Sequence, residues 1–415
     1  MNCFSDLSLC SVLQSNLSRN GFVTPTPVQA QAIPPVLEGR DVVATAQTGT
    51  GKTLGFLIPL LQRFRAQCVK TGVQALVLSP TRELAIQINE TLLKLTAGTG
   101  IRSAVVVGGV NENSQLRKIR EGAQVVIATP GRLCDFLDRR LVRLGGVQFL
   151  VLDEADRMLD MGFLPSLRVI LKETPATRQT VFFSATIEKS VAHLIDAHLR
   201  NPVRISVGAA TRTADRVDLH LYEVEQERKF SLLVKLLRDD RGSCLVFSRT
   251  KHGADKLSKN LARAGVKSAR IHGGRTQGQR NEALRGFKEN RFQVLVATDV
   301  ASRGIHVDGI GHVINYDLPQ VPEDFIHRVG RTGRAGAQGL ASTFSTRAER
   351  TEIRKIERTI GSRLELQQVT TAELVEALPA EQTKVVFLPR DASPKPRGFR
   401  PVTREFRPRR RSRVG

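Results

Sequence analysis

At positions 46–53 the chain reads Ala46-Gln47-Thr48-Gly49-Thr50-Gly51-Lys52-Thr53. The stretch follows an apolar run at residues 41–45, which predicts a β-strand, and precedes a helix-forming run at residues 54–58. The two glycines allow backbone N–H groups to point at a phosphate. The lysine can reach the outer phosphates, and the last threonine can ligate Mg²⁺. The pattern predicts a triphosphate cradle between a strand and a helix.

One position departs from the strict phosphate-loop pattern, which has glycine where Ala46 stands. A glycine-rich turn without a ligand is the alternative interpretation. The flanking strand and helix occur in the order that phosphate binding requires, which favours a nucleotide site.

Bulk properties set the class of protein. A chain of 415 residues with 40% apolar residues predicts two or three domains. We expect a cytoplasmic protein without membrane association, because no apolar run approaches the length of a membrane span and the first residues do not resemble a signal peptide. The five cysteines are scattered without paired metal-ligand spacing, so we expect them to be reduced.

The net charge is +23, with an isoelectric point near 10.7, which indicates a polyanionic partner. Residues 390–415 contain ten basic and two acidic residues, which leaves +15 for the preceding chain. Charge alone does not separate nucleic acid from an anionic membrane or from a requirement for solubility.

The first half alternates short apolar runs with helical patterns, which is typical of a parallel sheet with crossover helices. After the first strand, further strands are predicted at residues 75–79, 103–107, 125–128, 149–152 and 180–184. Function is expected at the carboxyl ends of such strands. There the run at 149–152 is followed by Asp153-Glu154-Ala155-Asp156, which can hold Mg²⁺ and polarise an attacking water. The alternative is an acid-rich helix start.

The second half repeats this alternation beyond a small-residue stretch at 207–214 that suits a linker. Strands are predicted at residues 219–223, 244–247, 269–271, 294–297, 312–316 and 341–344, and this half contains no second phosphate loop. Arginines recur every third or fourth residue from His327 to Gly336, so they share a helix face. This face can supply an arginine finger to a γ-phosphate. A nucleic-acid patch and a solvated surface are the alternatives.

The N-terminal residues 4–17 predict a capped amphipathic helix. Gly21-Phe22-Val23-Thr24-Pro25-Thr26-Pro27-Val28-Gln29 follows, where Thr26 can cap a helix that begins at Pro27. The amide of Gln29 can read an edge such as that of adenine, although a glutamine on a helix is commonly solvated.

Together, these residues resemble a DEAD-box RNA helicase of superfamily 2, with the bacterial RhlE-like type as the expected subtype. The resemblance extends over residues 4–345. Besides the stretches already quoted, it rests on Pro80-Thr81-Arg82-Glu83-Leu84-Ala85, Gly108-Gly109, Thr129-Pro130-Gly131-Arg132, Ser184-Ala185-Thr186, Leu245-Val246-Phe247-Ser248, Gln277 with Arg280, Ala297-Thr298-Asp299-Val300-Ala301-Ser302-Arg303-Gly304, Tyr316-Asp317 and His327 to Arg334.

The resemblance implies an α/β protein of two tandem RecA-like parallel-sheet domains with a disordered basic C-terminal tail. We expect the first domain at residues 1–206, a linker at 207–216, the second domain at 217–375 and the tail at 376–415. The implied activity is ATP-dependent unwinding of short RNA duplexes, or remodelling of RNA–protein complexes, with ATP and Mg²⁺ as cofactors and a monomeric core. A non-hydrolysing RNA clamp or annealing chaperone is the alternative. A DNA-translocating helicase is disfavoured by the Gln29 segment and by the sequence Asp153-Glu154-Ala155-Asp156.

The resemblance also implies roles for single residues. Adenine is read by Gln29, with Phe4, Phe22 and Thr24 beside it. The phosphates and Mg²⁺ are held by the 46–53 loop, with Thr53 and Asp153 on the metal. Catalysis involves Lys52, Asp153, Glu154, His327, Arg331 and Arg334, and Gly304 and Asp308 contact the nucleotide. Ser184, Thr186 and Asp156 couple the halves.

For RNA, the resemblance implies contacts to phosphates and 2′-OH groups that ignore base identity, on single strands and short duplexes. The residues implied are Pro80, Thr81, Arg82, Glu83, Gly108, Gly109, Thr129, Pro130, Gly131, Arg132, Gln277, Arg280, Thr298 and Asp299. His306 stands where the family usually has an acidic residue that contacts ribose, with Asp299 and Asp308 as possible substitutes. After about Ala392 we expect an RNA tether in which Phe399 and Phe406 stack on bases; a merely solubilising end is the alternative.

Overall fold

The computed structural model describes residues 2–46, 50–66, 72–187, 189–207, 217–240, 242–299, 309–333 and 338–370. In these residues the chain forms two parallel seven-stranded sheets, one in each half, with helices between the strands. This architecture confirms the α/β fold class with tandem RecA-like sheets. The predicted tail and nearly all of the predicted linker lie outside the described residues.

The first sheet has the strand order β3-β4-β2-β5-β6-β1-β7. Its strands are β1 (Val42–Thr45), β2 (Ala75–Leu78), β3 (Ser103–Val106), β4 (Val125–Ala128), β5 (Phe149–Leu152), β6 (Gln179–Ser184) and β7 (Val203–Ser206). Its helices are α1 (Ser11–Arg19), α2 (Pro27–Leu37), α3 (Lys52–Ala66), α4 (Arg82–Leu95), α5 (Glu112–Arg120), α6 (Pro130–Asp138), α7 (Ala155–Asp160), α8 (Leu164–Glu173) and α9 (Lys189–His198).

The second sheet has the equivalent order, β10-β11-β9-β12-β13-β8-β14. Its strands are β8 (Val217–Glu223), β9 (Cys244–Phe247), β10 (Ser268–Ile271), β11 (Val294–Ala297), β12 (His312–Asn315), β13 (Gly339–Ser345) and β14 (Glu365–Gln367). Its described helices are α10 (Lys229–Asp239), α11 (Lys251–Arg263), α12 (Gln277–Lys288), α13 (Pro322–Val329) and α14 (Arg350–Ile360).

Each sheet is buried on both faces, as its continuously apolar central strands predict. In β2, Leu76 packs into one cluster and Val77 into the cluster on the other face. The second sheet has its own two clusters, and one of them contains an aromatic group in which Phe344 packs between Tyr222 and Tyr316. Each half therefore has its own hydrophobic core, and the space between them is available for polar chemistry.

The N-terminal segment differs from the single helix predicted over residues 4–17. A short 3₁₀ turn, Phe4–Asp6, precedes an extended stretch, and the α-helix begins at Ser11. The carboxylate of Asp6 accepts the backbone N–H groups of Asn2 and Cys3, which closes the turn. The N–H of Cys10 donates to the side chain of Gln62 and not to a backbone carbonyl of a preceding helical turn. Among the described helices, none is long and apolar enough to cross a membrane.

Candidate functional site

The helix α3 begins at Lys52, directly after the loop that follows β1. The Lys52 side chain is buried, and its ammonium nitrogen has no hydrogen-bond partner among the described residues. A buried cation without a partner is costly, so this position is prepared for an anion. Thr53 is half-buried in the same turn, and Ala46 is buried at the other end of the loop. Gln47, Thr48 and Gly49 lie outside the described residues.

Gly51 is the position of this loop where glycine is required. Its φ of +82° lies in the left-handed region, and a Cβ there would come within 2.6 Å of the Gln29 amide nitrogen. The Gln29 side chain donates to the carbonyl of Gly51 at 2.7 Å, so the close approach holds the loop against α2.

The segment predicted to read adenine packs against the phosphate loop. Thr26 is the N-cap residue of α2. Its backbone N–H donates to the side-chain amide oxygen of Gln29 at 2.8 Å, and its hydroxyl donates to the backbone carbonyl of Thr50. Both ends of the Gln29 amide therefore contact protein groups. Phe4 is buried in the core, whereas Phe22 is half-buried and Thr24 is exposed.

Two carboxylates follow β5 and differ in their environments. Burial raises the pKa of Asp153 to about 7 although Lys52 opposes the shift, and its Oδ1 atom has no hydrogen-bond partner among the described residues. Burial also opposes ionisation of Glu154, but the charges of Arg157, Lys52 and Arg331 outweigh it and lower its pKa to about 2. Glu154 has a φ of +51° and accepts from Arg157 at 3.0 Å.

The donor set fits a divalent cation that is bound together with phosphate. A buried carboxylate oxygen without a partner, on Asp153, and the hydroxyl of Thr53 are the oxygen ligands that Mg²⁺ prefers. The described residues contain no cluster of three or more His, Cys, Asp or Glu that could hold a metal ion. The cation would therefore take its remaining ligands from phosphate and water.

Asp156 organises the Ser184-Ala185-Thr186 segment. One of its carboxylate oxygens accepts the N–H groups of Ala185 and Thr186, both at 2.9 Å, and the hydroxyl of Thr186 at 3.3 Å. The hydroxyl of Ser184 donates to the Thr186 carbonyl. These bonds all lie within the first half. The segment expected to join the halves is therefore hydrogen-bonded to the acidic cluster of its own half.

Arg331 and His327, two residues of the second half, interact electrostatically with the acidic cluster of residues 153–156. Arg331 is 3% exposed, its Nε donates to the carbonyl of His327 at 3.2 Å, and its charge acts on Glu154. Burial and then the charge of Arg157 lower the pKa of His327 to about 4, while Asp156 opposes the shift. The cleft thus brings Arg331 and His327 to the acids. Arg334 lies outside the described residues.

Arg328 belongs to the same arginine series but is a structural residue. It donates to both carboxylate oxygens of Asp299, at 2.5 and 2.7 Å, and to Asn315 and the carbonyl of Asp317. Its guanidinium also lies over the ring of Phe247. Both carboxylate oxygens of Asp299, a residue expected to contact RNA or ribose, therefore bind Arg328.

A direct polar bridge joins the two halves through residues that were expected on the RNA face. Glu83 accepts from Arg280 at 2.9 Å and from the side chain of Gln277 at 3.0 Å, and both Glu83 and Arg280 are buried. The sequence did not reveal this pairing, because it joins residues nearly two hundred positions apart. Beside it, the Arg82 guanidinium covers Gly109, where a Cβ would collide with it.

The remaining residues expected to bind RNA lie at strand ends and helix starts. Pro80, Thr81, Thr129, Pro130 and Thr298 are buried, Gly108 is half-buried and Gly131 is exposed. Arg132 is ion-paired with Glu112 at 3.1 Å and with Asp135 at 3.3 Å. Gly304, His306 and Asp308 lie outside the described residues. The sequence did not single out Arg157, which directly follows the acidic cluster, and it did not give Arg328 a role separate from the other arginines of its series.

Two family models match the chain. Residues 26–194 match the DEAD/DEAH box helicase model, and residues 228–336 match the helicase conserved C-terminal domain. The first match includes the phosphate loop and the acidic cluster, and the second includes the arginine series.

Curated relatives match most of the chain. It is 42% identical to an ATP-dependent RNA helicase CshA of Listeria monocytogenes, over 89% of this chain and 71% of the relative. It is 40% identical to a DEAD-box ATP-dependent RNA helicase CshA of Bacillus cereus, over 92% of this chain and 72% of the relative.

Solved structures resemble the fold of the chain. Dbp5 of S. cerevisiae bound to RNA and ADP BeF₃ has a TM-score of 0.79 at 30% identity, covering 91% of this chain and 100% of that chain. A DEAD box protein of Methanococcus jannaschii is 34% identical but has a TM-score of 0.53, covering 89% of this chain and 99% of that chain.

Proposed function

The chain belongs to the DEAD-box ATP-dependent RNA helicases, and from that premise we propose which residues hydrolyse ATP and how the two halves make hydrolysis depend on RNA. The observation that carries the proposal is that the charge of Arg331, from the second half, acts on Glu154 of the first half, next to the buried Lys52, whose ammonium has no hydrogen-bond partner in the described part of the chain. The first domain extends over residues 1–206 and the second over 217–375, with a monomeric core.

The phosphates of ATP bind at the start of α3. The Lys52 ammonium pairs with the β- and γ-phosphates, and the backbone N–H groups of the loop donate to the same oxygens. Thr53 and Asp153 hold Mg²⁺, which neutralises charge that develops on the phosphates. Because bound phosphate and metal stabilise the ionised carboxylate, the pKa of Asp153 is expected to fall when they bind.

Glu154 and Arg331 act on the reacting group itself. Glu154 is ionised at neutral pH and orients the attacking water, while Arg331, together with Arg334, stabilises the charge on the γ-phosphoryl group. His327 fixes the position of Arg331 through its backbone carbonyl. Because the arginines and the acids belong to different halves, the catalytic set is complete only when the cleft is closed.

RNA binds to the closed cleft through its phosphates and 2′-OH groups and independently of base sequence. The bridge of Glu83 to Arg280 and Gln277 forms beside this surface, so strand binding and closure stabilise the same arrangement. Closure bends one strand and separates a short duplex locally. ATP and RNA are therefore expected to bind cooperatively, since both favour the closed state.

The test is a phosphate-release assay on the full chain with single-stranded RNA, with single-stranded DNA of the same sequence, and without nucleic acid. We expect hydrolysis with RNA only. Glu154→Gln should retain ATP binding and form a long-lived RNA complex without hydrolysis. Hydrolysis that is independent of RNA, or equal with DNA, would contradict RNA gating, and the absence of hydrolysis under all conditions would favour the clamp or annealing chaperone.

A further inference from the structure

A recess opens at the edge of the first sheet opposite to the ATP site. It has a volume of about 390 Å³ and lies where β1 and β6 begin, next to Asp41 and Gln179. The phosphate loop and Ser184 are at the other ends of these same strands. The recess is therefore separate from the cleft by at least the length of a strand, roughly 13 Å.

The lining of this recess is strongly basic. It includes the side chains of Arg40, Arg63, Arg178 and Arg200 and a single acid, Asp41. The Asp41 carboxylate is engaged by the backbone, because it accepts the N–H of Thr180 and the N–H of Arg200, both at 2.7 Å. Four arginines and one carboxylate, which already accepts two backbone N–H groups, therefore line the recess, and the Arg200 guanidinium also donates to the carbonyl of Ala176.

Two of these arginines are held in place by hydrogen bonds to the protein. Arg178 is 8% exposed; its Nη1 donates to the carbonyl of Pro175 at 3.0 Å, but its Nε has no hydrogen-bond partner among the described residues. Arg63 donates from Nη1 to Gln179 at 2.8 Å, and its Nε likewise lacks a partner in the described part of the chain. The bonds to Pro175 and Gln179 fix the orientation of both guanidinium groups, and fixed guanidinium groups at a recess favour an anionic acceptor.

The electrostatic environment agrees with this geometry. Burial and the neighbouring Arg200 lower the pKa of Arg178, and Asp41 is the group that opposes the shift. Burial, Arg178 and Arg168 together lower the pKa of His198 nearby. The recess therefore has a positive potential that its own residues do not neutralise.

A second cleft of about 490 Å³ adjoins the recess and shares Arg63 and Thr177 with it. Its remaining lining is uncharged and mixed, with Gln74 and Gln148, the glycines Gly145 and Gly146, and the apolar residues Val147 and Pro175. A ligand with a charged end and a neutral hydrogen-bonding end would match the two compartments. Each has the size of a small-ligand pocket.

We propose that this double recess binds a small phosphorylated molecule of nucleotide size, with its phosphoryl groups on Arg63, Arg178 and Arg200. Guanidinium groups recognise phosphate through paired N–H donors, and the arginines here converge in a concavity. An extended RNA strand is less well suited, because the recess is a concavity of about 390 Å³ and its described lining contains no aromatic side chain for base stacking. The site is independent of the proposed catalytic cleft.

The test is calorimetric titration of the full chain with inorganic pyrophosphate, after the catalytic cleft has been filled with a non-hydrolysable ATP analogue, Mg²⁺ and a short single-stranded RNA. We expect saturable binding of one pyrophosphate. Arg178→Gln and Arg200→Gln should each weaken it at least tenfold. Arg200 is exposed, so its variant remains informative if the Arg178 variant does not fold.

Arg204→Gln is the matched control, because Arg204 is an exposed arginine of the neighbouring strand β7 and does not line the recess. Its affinity for pyrophosphate should stay within twofold of that of the unmodified chain. The absence of saturable binding, or equal weakening by Arg204→Gln and Arg200→Gln, would overturn the proposal. Displacement of pyrophosphate by a 20-nucleotide RNA would also overturn it and would assign the arginines to the RNA backbone.

Discussion

The two halves of the chain have the same strand order but treat equivalent positions differently. β1 of the first sheet corresponds to β8 of the second, and the helix that follows each of them begins with a lysine. Lys229 is 1% exposed and its ammonium lies 3.5 Å from a carboxylate oxygen of Glu349. Lys52 is also buried, but its ammonium nitrogen has no hydrogen-bond partner among the described residues. The second half satisfies its lysine internally, whereas the first half reserves its lysine for a ligand.

The carboxyl ends of β5 and β12 differ in the same way. Asp153 keeps one oxygen without a partner among the described residues. Asp317, after β12, accepts from the hydroxyl of Ser248 at 3.1 Å and the N–H of Arg249 at 2.9 Å. The comparison teaches that one scaffold serves two purposes. Polar groups that pair within the protein stabilise the second half, whereas a group without a partner among the described residues of the first half provides a binding site.

The largest expected effect separates two arginines of the second half. Arg331→Ala should reduce RNA-stimulated hydrolysis by about a thousandfold, because its charge is needed on the γ-phosphoryl group, while the affinity for ATP changes little. Steady-state phosphate release and nucleotide titration measure the two quantities.

Arg328→Ala is the contrasting variant, because its guanidinium is held by Asp299, Asn315 and Asp317. It should destabilise the second half by about 3 kcal/mol, because it removes a buried guanidinium together with its charge-assisted hydrogen bonds to Asp299 and its bonds to Asn315 and the Asp317 carbonyl. Normal hydrolysis in Arg331→Ala would show that this arginine is not a finger.

The next effect tests the two lysines. Lys52→Ala should weaken ATP binding on the order of a hundredfold, since a charge-assisted contact to phosphate contributes about 1.5–3 kcal/mol. Lys229→Ala should leave the affinity for ATP within about twofold and lower thermal stability instead. Equal loss of ATP affinity in both variants would contradict the assignment of only one of these lysines to the ligand.

Acid should distinguish the halves further, because His312 begins β12 where the first sheet has Phe149. Burial lowers the pKa of His312 to about 4, although Asp240 at 3.5 Å opposes the shift. The unfolded chain therefore takes up this proton first, and stability that is complete above about pH 6.5 is lost as the pH falls towards 4. From pH 7.5 to pH 5 the loss should be about 2 kcal/mol.

Urea unfolding followed by circular dichroism at these two pH values measures the effect. His312→Gln should remove about this much of the pH dependence, and His252→Gln, at an exposed position, should not. An unchanged pH dependence in His312→Gln would show that protonation of His312 is not the cause of the loss of stability in acid.

The smallest effect concerns the bridge between the halves. Glu83→Gln should reduce the cooperativity of ATP and RNA binding about five- to tenfold, because the bridge to Arg280 exists only in the closed arrangement. A double-mutant cycle with Arg280→Gln should be non-additive by about 1 kcal/mol. Arg285→Gln, on the exposed face of the same helix, is the control. Additive effects of the two substitutions would indicate that both residues contact RNA independently.

The central strands could be predicted from sequence, because strands buried on both faces read as continuous apolar runs. The edge strands β7 and β14 could not, since Arg204 and Glu365 are exposed and interrupt the apolar pattern. These strands depend on pairing with β1 and β8, which lie far away in the sequence.

For the site, the sequence predicted the phosphate loop and the acidic cluster, because each is a contiguous motif with its own local geometry. It did not distinguish Arg328 from Arg331. The spacing predicted a shared helix face, and this was wrong, because α13 ends at Val329, so that Arg328 lies on the helix and Arg331 in the turn beyond it. The bridge from Glu83 to Arg280 was also not predictable, because it depends on how two separately folded halves meet.

The aromatic group around Phe344 confines the tyrosine fluorescence of the molecule to its second half. The chain has no tryptophan, and both of its tyrosines, Tyr222 and Tyr316, belong to the second core. Intrinsic fluorescence therefore reports the melting of the second half alone, while circular dichroism reports both halves. A nucleotide at a hundredfold excess over its dissociation constant should add about 2.7 kcal/mol to the first half. It should raise the melting temperature recorded by dichroism and leave that recorded by tyrosine fluorescence nearly unchanged.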